Sequence, residues 1–126
     1  MRPMIRRLFA RRAMLADEWA SDVFITLGED GIIASVTPNA PPGNAERAAG
    51  PVIPGARADL VVLDGGHVDL AGREEDTILD ALVFSGNDNL VRDVIVSGKW
   101  VVREGRADGE DAIAARYRNA LLRLID

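Results

Sequence analysis

The chain has 126 residues, 48% of them hydrophobic and 28% charged, and a formal net charge of −5. That length suits one domain that buries roughly two-thirds of its unfolded surface, and the composition is that of a globular protein. The acidic balance argues against a nucleic-acid or anionic-membrane partner, the absence of cysteine removes disulfide and thiolate chemistry, and no apolar run approaches the roughly 18 residues of a membrane span.

Five arginines (Arg2, Arg6, Arg7, Arg11, Arg12) precede the first acid, Asp17. They are expected on the solvated positions of a strand rather than in a basic arm. Arg11 and Arg12 also break the continuous apolar core that a signal peptide needs, so a cytoplasmic protein is expected. IRRLFARRAML then mixes apolar and basic positions as a half-exposed strand or bent hairpin does. In DVFITL, Val23, Ile25 and Leu27 fall on one face and Phe24 and Thr26 on the other. GEDG supplies a turn and IIASV returns, which predicts a hairpin. TPNAPPGNAERAAG has no periodicity and is expected to be a surface loop. PVIPG follows as a very short strand. ADLVVLD, with Leu60 to Leu63 in an unbroken run, is predicted to be a strand buried on both faces.

GGHVDLAGREED is irregular. In TILDALVFSG, Ile78, Leu79, Leu82 and Val83 have helical spacing, with Asp76 or Thr77 as cap and Gly86 as stop. VRDVIVSGKWVVREG predicts a hairpin around Ser97, Gly98 and Lys99. The last element, GEDAIAARYRNALLRLID, is an amphipathic helix whose stripe of Ile113, Tyr117, Ala120, Leu121 and Leu124 is expected to pack against a sheet or a partner. The fold class is therefore mainly β, with one short helix and a C-terminal amphipathic helix.

A search for chemistry among these residues finds none. Metal sites need several converging His, Cys or carboxylate ligands. The only histidine, His67, sits in a glycine-rich loop and is expected to be solvent-exposed rather than a ligand. A Ser-His-Asp set would need His67 with Ser21, Ser35, Ser85 or Ser97, and none of these lies in a G-x-S-x-G elbow. Lys99 at a hairpin tip reads as a solvated lysine. The acids Glu74 to Asp76 and the pair Glu110 and Asp111 read as helix-start charges rather than an acid–base pair. No catalytic, cofactor-binding or metal-binding residue is assigned.

The order of motifs adds a resemblance. A strand hairpin, then V-I-P-G at Val52 to Gly55, then A-D-L-V-V-L-D at Ala58 to Asp64, then the hairpin from Val94 to Gly105 is similar to the amidohydrolase superfamily. Within it, ARRAMLADEWASDV and DALVFSGNDNLVRDVIVSGKWVVREGR most resemble formiminoglutamate deiminases; imidazolonepropionase and nucleobase deaminases are the neighbouring alternatives. The resemblance implies a small β-sandwich assembled from two segments, residues 1–55 and 56–126. In the family a catalytic (β/α)8 barrel lies between such segments, carries an H-x-H pair and further ligands, and binds a divalent metal, usually zinc. Here Gly55 runs directly into Ala56, so the barrel is expected to be missing at that point and no family ligand carries over. Implied with it are the missing barrel as a partner, no cofactor in this chain, and self-association through uncovered apolar surface. The rival expectation is a free-standing β-rich interaction or scaffold protein.

Overall fold

The computed structural model describes residues 4–16, 18–40 and 52–125. Most of the loop expected at Thr37 to Gly50, and the arginine at position 2, lie outside the described residues. Strands β1 (Arg7–Met14), β2 (Trp19–Leu27) and β3 (Ile33–Thr37) form one antiparallel sheet in that order. Strands β4 (Leu60–Leu63), β5 (Val91–Val96), β6 (Lys99–Arg103) and β7 (Arg106–Ala107) form a second, also in chain order. A single 3-10 turn (Val68–Leu70) and helix α1 (Asp76–Phe84) connect β4 to β5, and helix α2 (Glu110–Ile125) ends the chain.

The period-two pattern sets the register. Val23, Ile25 and Leu27 are buried, and Ile25 stands opposite Leu8 on β1 and Val36 on β3. Arg7, Arg11 and Arg12 are exposed on β1, while Leu8, Phe9, Ala10 and Ala13 are buried. The basic N-terminal stretch is thus a strand with solvated arginines where it is described.

One core joins the two sheets: Leu8, Val23, Ile25 and Ile33 meet Leu60, Val62, Ile95 and Trp100. Burial of each large aliphatic side chain in such a layer contributes about 1.5–3 kcal/mol. A smaller cluster of Leu70, Ala81 and Leu90, flanked by Leu63, Ile78 and Leu82, seats α1. This arrangement is β-sandwich-like, as the sequence predicts.

At one end the sheets are stitched by backbone. The Ile5 amide donates to the Gly98 carbonyl (2.8 Å), Gly98 to Ala58 (3.0 Å), and Ala58 to Gly31 (2.8 Å). Gly31 has φ +77°, and a Cβ there would sit 2.2 Å from the Ser97 carbonyl oxygen. Only glycine lets these two turns cross so closely.

Four details differ from the sequence reading. β4 is buried on one face only: Leu60 and Val62 are buried in the core, but Val61 is 40% exposed. The PVIPG stretch contributes a single bridge from Val52 to Leu15, not a strand. Helix α1 is capped by Glu75 without a side-chain hydrogen bond, since Asp76 and Thr77 are engaged elsewhere. Helix α2 forms over the expected residues, yet none of them is buried. No helix among the described residues is long and apolar enough to cross a membrane.

Candidate functional site

The chain from Ile53 to Ala56 forms a closed turn. The Ala56 amide donates to the Ile53 carbonyl (3.1 Å), and Gly55 has φ +87°. Proline at the second position and a positive-φ glycine at the third are what a type II turn requires. The turn is held on both sides: Gly55 donates to the Ile33 carbonyl (2.8 Å), and Ile33 donates to Ala56 (2.9 Å). Its flanks are anchored by the buried residues Val52 and Ala58. The tip itself faces open space, because a Cβ on Gly55 would meet no atom within 4 Å.

His67 occupies a different position from the one expected. Its side chain is only 19% exposed. The Asp69 amide donates to Nδ1 (3.1 Å), capping the 3-10 turn, and Nε2 lies 3.1 Å from Asp88 Oδ2. Nδ1 therefore accepts and Nε2 carries the proton to Asp88. Gly86, at φ +68°, allows the close approach, since a Cβ there would lie 2.6 Å from Asp69 Oδ2. His67, Asp69 and Asp88 bring potential ligand atoms within 4.8 Å of one another. Both imidazole nitrogens, however, are engaged in hydrogen bonds, Nδ1 within this loop and Nε2 to the loop after α1. The cluster does the work of a staple joining the loop after β4 to the loop after α1.

The remaining sequence candidates do not converge on His67. Ser21 stands opposite Arg12 in the β1–β2 register, and Ser35 shares a 2.5 Å hydrogen bond with Thr26. Ser85 accepts from Arg73, and the Ser97 amide donates to Asp59 Oδ1 at 2.9 Å. Lys99 opens β6, beside the turn, and bridges to Met4. Glu74 pairs with Arg12, Asp76 accepts from the Trp19 indole (3.0 Å), and Glu110 and Asp111 both pair with Arg106. These acids fasten helix starts. Two charged groups are electrostatically perturbed: the Ser97 amide, then the Arg57 guanidinium, hold Asp59 below the usual carboxylate value, and Asp111, then Glu110, raise Arg106.

Sequence reasoning missed a groove of about 520 Å³ between β1, the end of β4 and the loop leading to α1. Arg11, Arg12, Arg73 and Arg92 line it, together with Trp19. Its apolar floor includes Ala10, Val62, Leu70 and Ile78. The available signal was the near-exclusive use of arginine over lysine, but four arginines from three distant segments share no motif.

Residues 5–50 match the family described as formimidoylglutamate deiminase HutF, N-terminal domain. The first part of this chain resembles that domain. The formimidoylglutamate deiminase of Pseudomonas aeruginosa is 49% identical over 72 residues. That match covers 57% of this chain but 16% of the enzyme.

Proposed function

We propose that this chain is the non-catalytic β-sandwich of an amidohydrolase of the formimidoylglutamate deiminase type, with the barrel absent between Gly55 and Ala56. The closed Ile53–Ala56 turn carries the reading: it lies where the family pattern places the barrel, its flanks are anchored, and its tip opens to solvent. Removing an inserted domain whose two ends lie together leaves the host fold intact. In an enzyme of this type a divalent metal held by the barrel would supply the activated water that such a hydrolysis needs. Among the described residues, the hydrogen bonds at both ring nitrogens of His67 support a structural role for the cluster with Asp69 and Asp88 rather than a catalytic-metal one. The chain's role is then that of a cytoplasmic support for a catalytic barrel.

A graft tests this. The segment of the Pseudomonas aeruginosa relative that falls between its two sandwich segments is inserted between Gly55 and Ala56. The chimera is expected to fold, bind zinc and release ammonia from N-formimino-L-glutamate, while the ungrafted chain with zinc releases none. An ungrafted chain that turns over substrate, or a graft that disrupts the sandwich, would contradict the proposal.

The second reading, a free-standing interaction protein, is favoured by one observation. On α2, Tyr117 is 68% exposed and Leu124 83%. An uncovered stripe of this kind supports association, either with a second copy or with another protein.

A further inference from the structure

We propose that the arginine-lined groove is a binding site for a small organic carboxylate with an aromatic or branched apolar body. Its chemistry is independent of the turn at Gly55, which contributes nothing to the lining.

The charge is concentrated in a way the rest of the molecule is not. The chain carries a net charge of −5, yet four arginines line one groove, and among the described residues Asp64 is the only acid in that lining. Two of the four are already matched: Arg92 by the buried Asp93 at 2.7 Å, and Arg12, more loosely, by Glu74 at 3.5 Å. Among the described residues the other two are not matched by a carboxylate. Arg73 donates to the Asp69 carbonyl (2.9 Å) and the Ser85 hydroxyl (3.3 Å), both neutral acceptors. Among the described residues Arg11 makes no ion pair, and its side chain is exposed on β1. Asp64, for its part, is occupied in accepting from the Gly66 amide at 3.1 Å. Among the described residues, neither Arg11 nor Arg73 has its charge matched by a carboxylate, and the planar guanidinium fork suits an incoming one.

The floor selects the rest of the ligand. Val62, Leu70 and Ile78 present aliphatic surface, and Trp19 closes one side with its indole nitrogen fixed on Asp76. A hydrated inorganic ion would leave that surface uncovered, whereas an aromatic ring or branched chain would cover it. The volume of about 520 Å³ lies within the range of small-molecule sites. An apolar wall with a few convergent polar groups is also their usual makeup.

The test uses the full chain and nitrogen-15 NMR, following the Trp19 indole while benzoate, benzyl alcohol or inorganic phosphate is added. Benzoate is expected to shift that signal saturably and more strongly than either comparison compound. Arg11→Gln, at an exposed position without a described ion pair, is expected to fold normally and weaken benzoate binding several-fold. Arg73→Gln is expected to weaken it by about tenfold, in keeping with the loss of a charged hydrogen bond. Arg118→Gln on α2 should leave binding unchanged. Equal response to benzyl alcohol would remove the carboxylate from the proposal, and equal response to phosphate would reduce the groove to a charged patch. No saturable shift, or the same loss in Arg118→Gln, would overturn the site altogether.

Discussion

Single residues decide how the two sheets meet. Gly31 crosses the Ser97 turn at a distance no side chain tolerates, in a backbone conformation that also disfavours one. Gly31→Ala is expected to cost about 2–4 kcal/mol, read as a lower denaturant midpoint, from combined strain and clash. An unchanged midpoint would mean that the crossing is looser than described. Asp93 is another such point: it is 1% exposed, takes the Glu104 amide at 2.7 Å and pairs with Arg92. Asp93→Ala leaves both donors without their acceptor and is expected to cost about 2–3 kcal/mol by the same measurement. Asp59 sets an acid dependence. Its folded-state pKa lies below the ordinary 3.8, because the Ser97 amide and then Arg57 favour the charged form. A lowered carboxylate pKa adds stability that is present above the unfolded value and is lost as pH falls through the folded one. Asp59→Asn should therefore lose less stability than the parent chain when pH drops from about 6 to about 3. Equal losses in the two proteins would show that the hydrogen bond to Ser97 does not persist in solution.

At the scale of elements, sequence periodicity was enough wherever one face is buried and the other wet. Val23, Ile25 and Leu27 announce β2 because alternation has a direct steric meaning in a half-buried sheet. Ser97 and Gly98 announce their turn, with φ +49° and +76°, the paired positive values of a type I′ hairpin. Glu104 and Gly105 repeat that geometry at +52° and +78° and lead into β7, which the sequence reading passed over because a two-residue strand has no period. An apolar run such as Leu60 to Leu63 says that a strand exists but not whether a layer covers its outer face. The groove was illegible for a related reason: its arginines come together only after both sheets have packed. Helix α2 is the sharpest case. Its stripe is plain in the sequence, and the local anchors are in place, with the Ala107 amide on Glu110 at 2.8 Å and Arg106 on Asp111. Yet no residue of α2 is buried. Truncation after Asp108 is expected to change unfolding free energy by less than about 0.5 kcal/mol, since no burial is lost. It should also reduce any self-association seen by sedimentation. A loss well above 1 kcal/mol would place the helix against the sheet.

For the whole molecule, two antiparallel sheets share one core. Residues 5–50 match a deiminase N-terminal domain, and the chain covers 16% of its Pseudomonas aeruginosa relative. The proposed role rests on the turn at Pro54 and Gly55, whose ends are hydrogen-bonded together and whose tip faces open space. The measurement that tests it most directly is amide hydrogen exchange of the full chain, followed at Ile33, Gly55, Ala58 and Gly98. All four amides donate to backbone carbonyls at the turn or across the stitched end of the sandwich. They are expected to exchange with protection approaching that of core strands such as β2 and β5. Exchange at Gly55 and Ala58 at the rate of an unfolded chain, with β2 still protected, would show that the two segments do not close on each other.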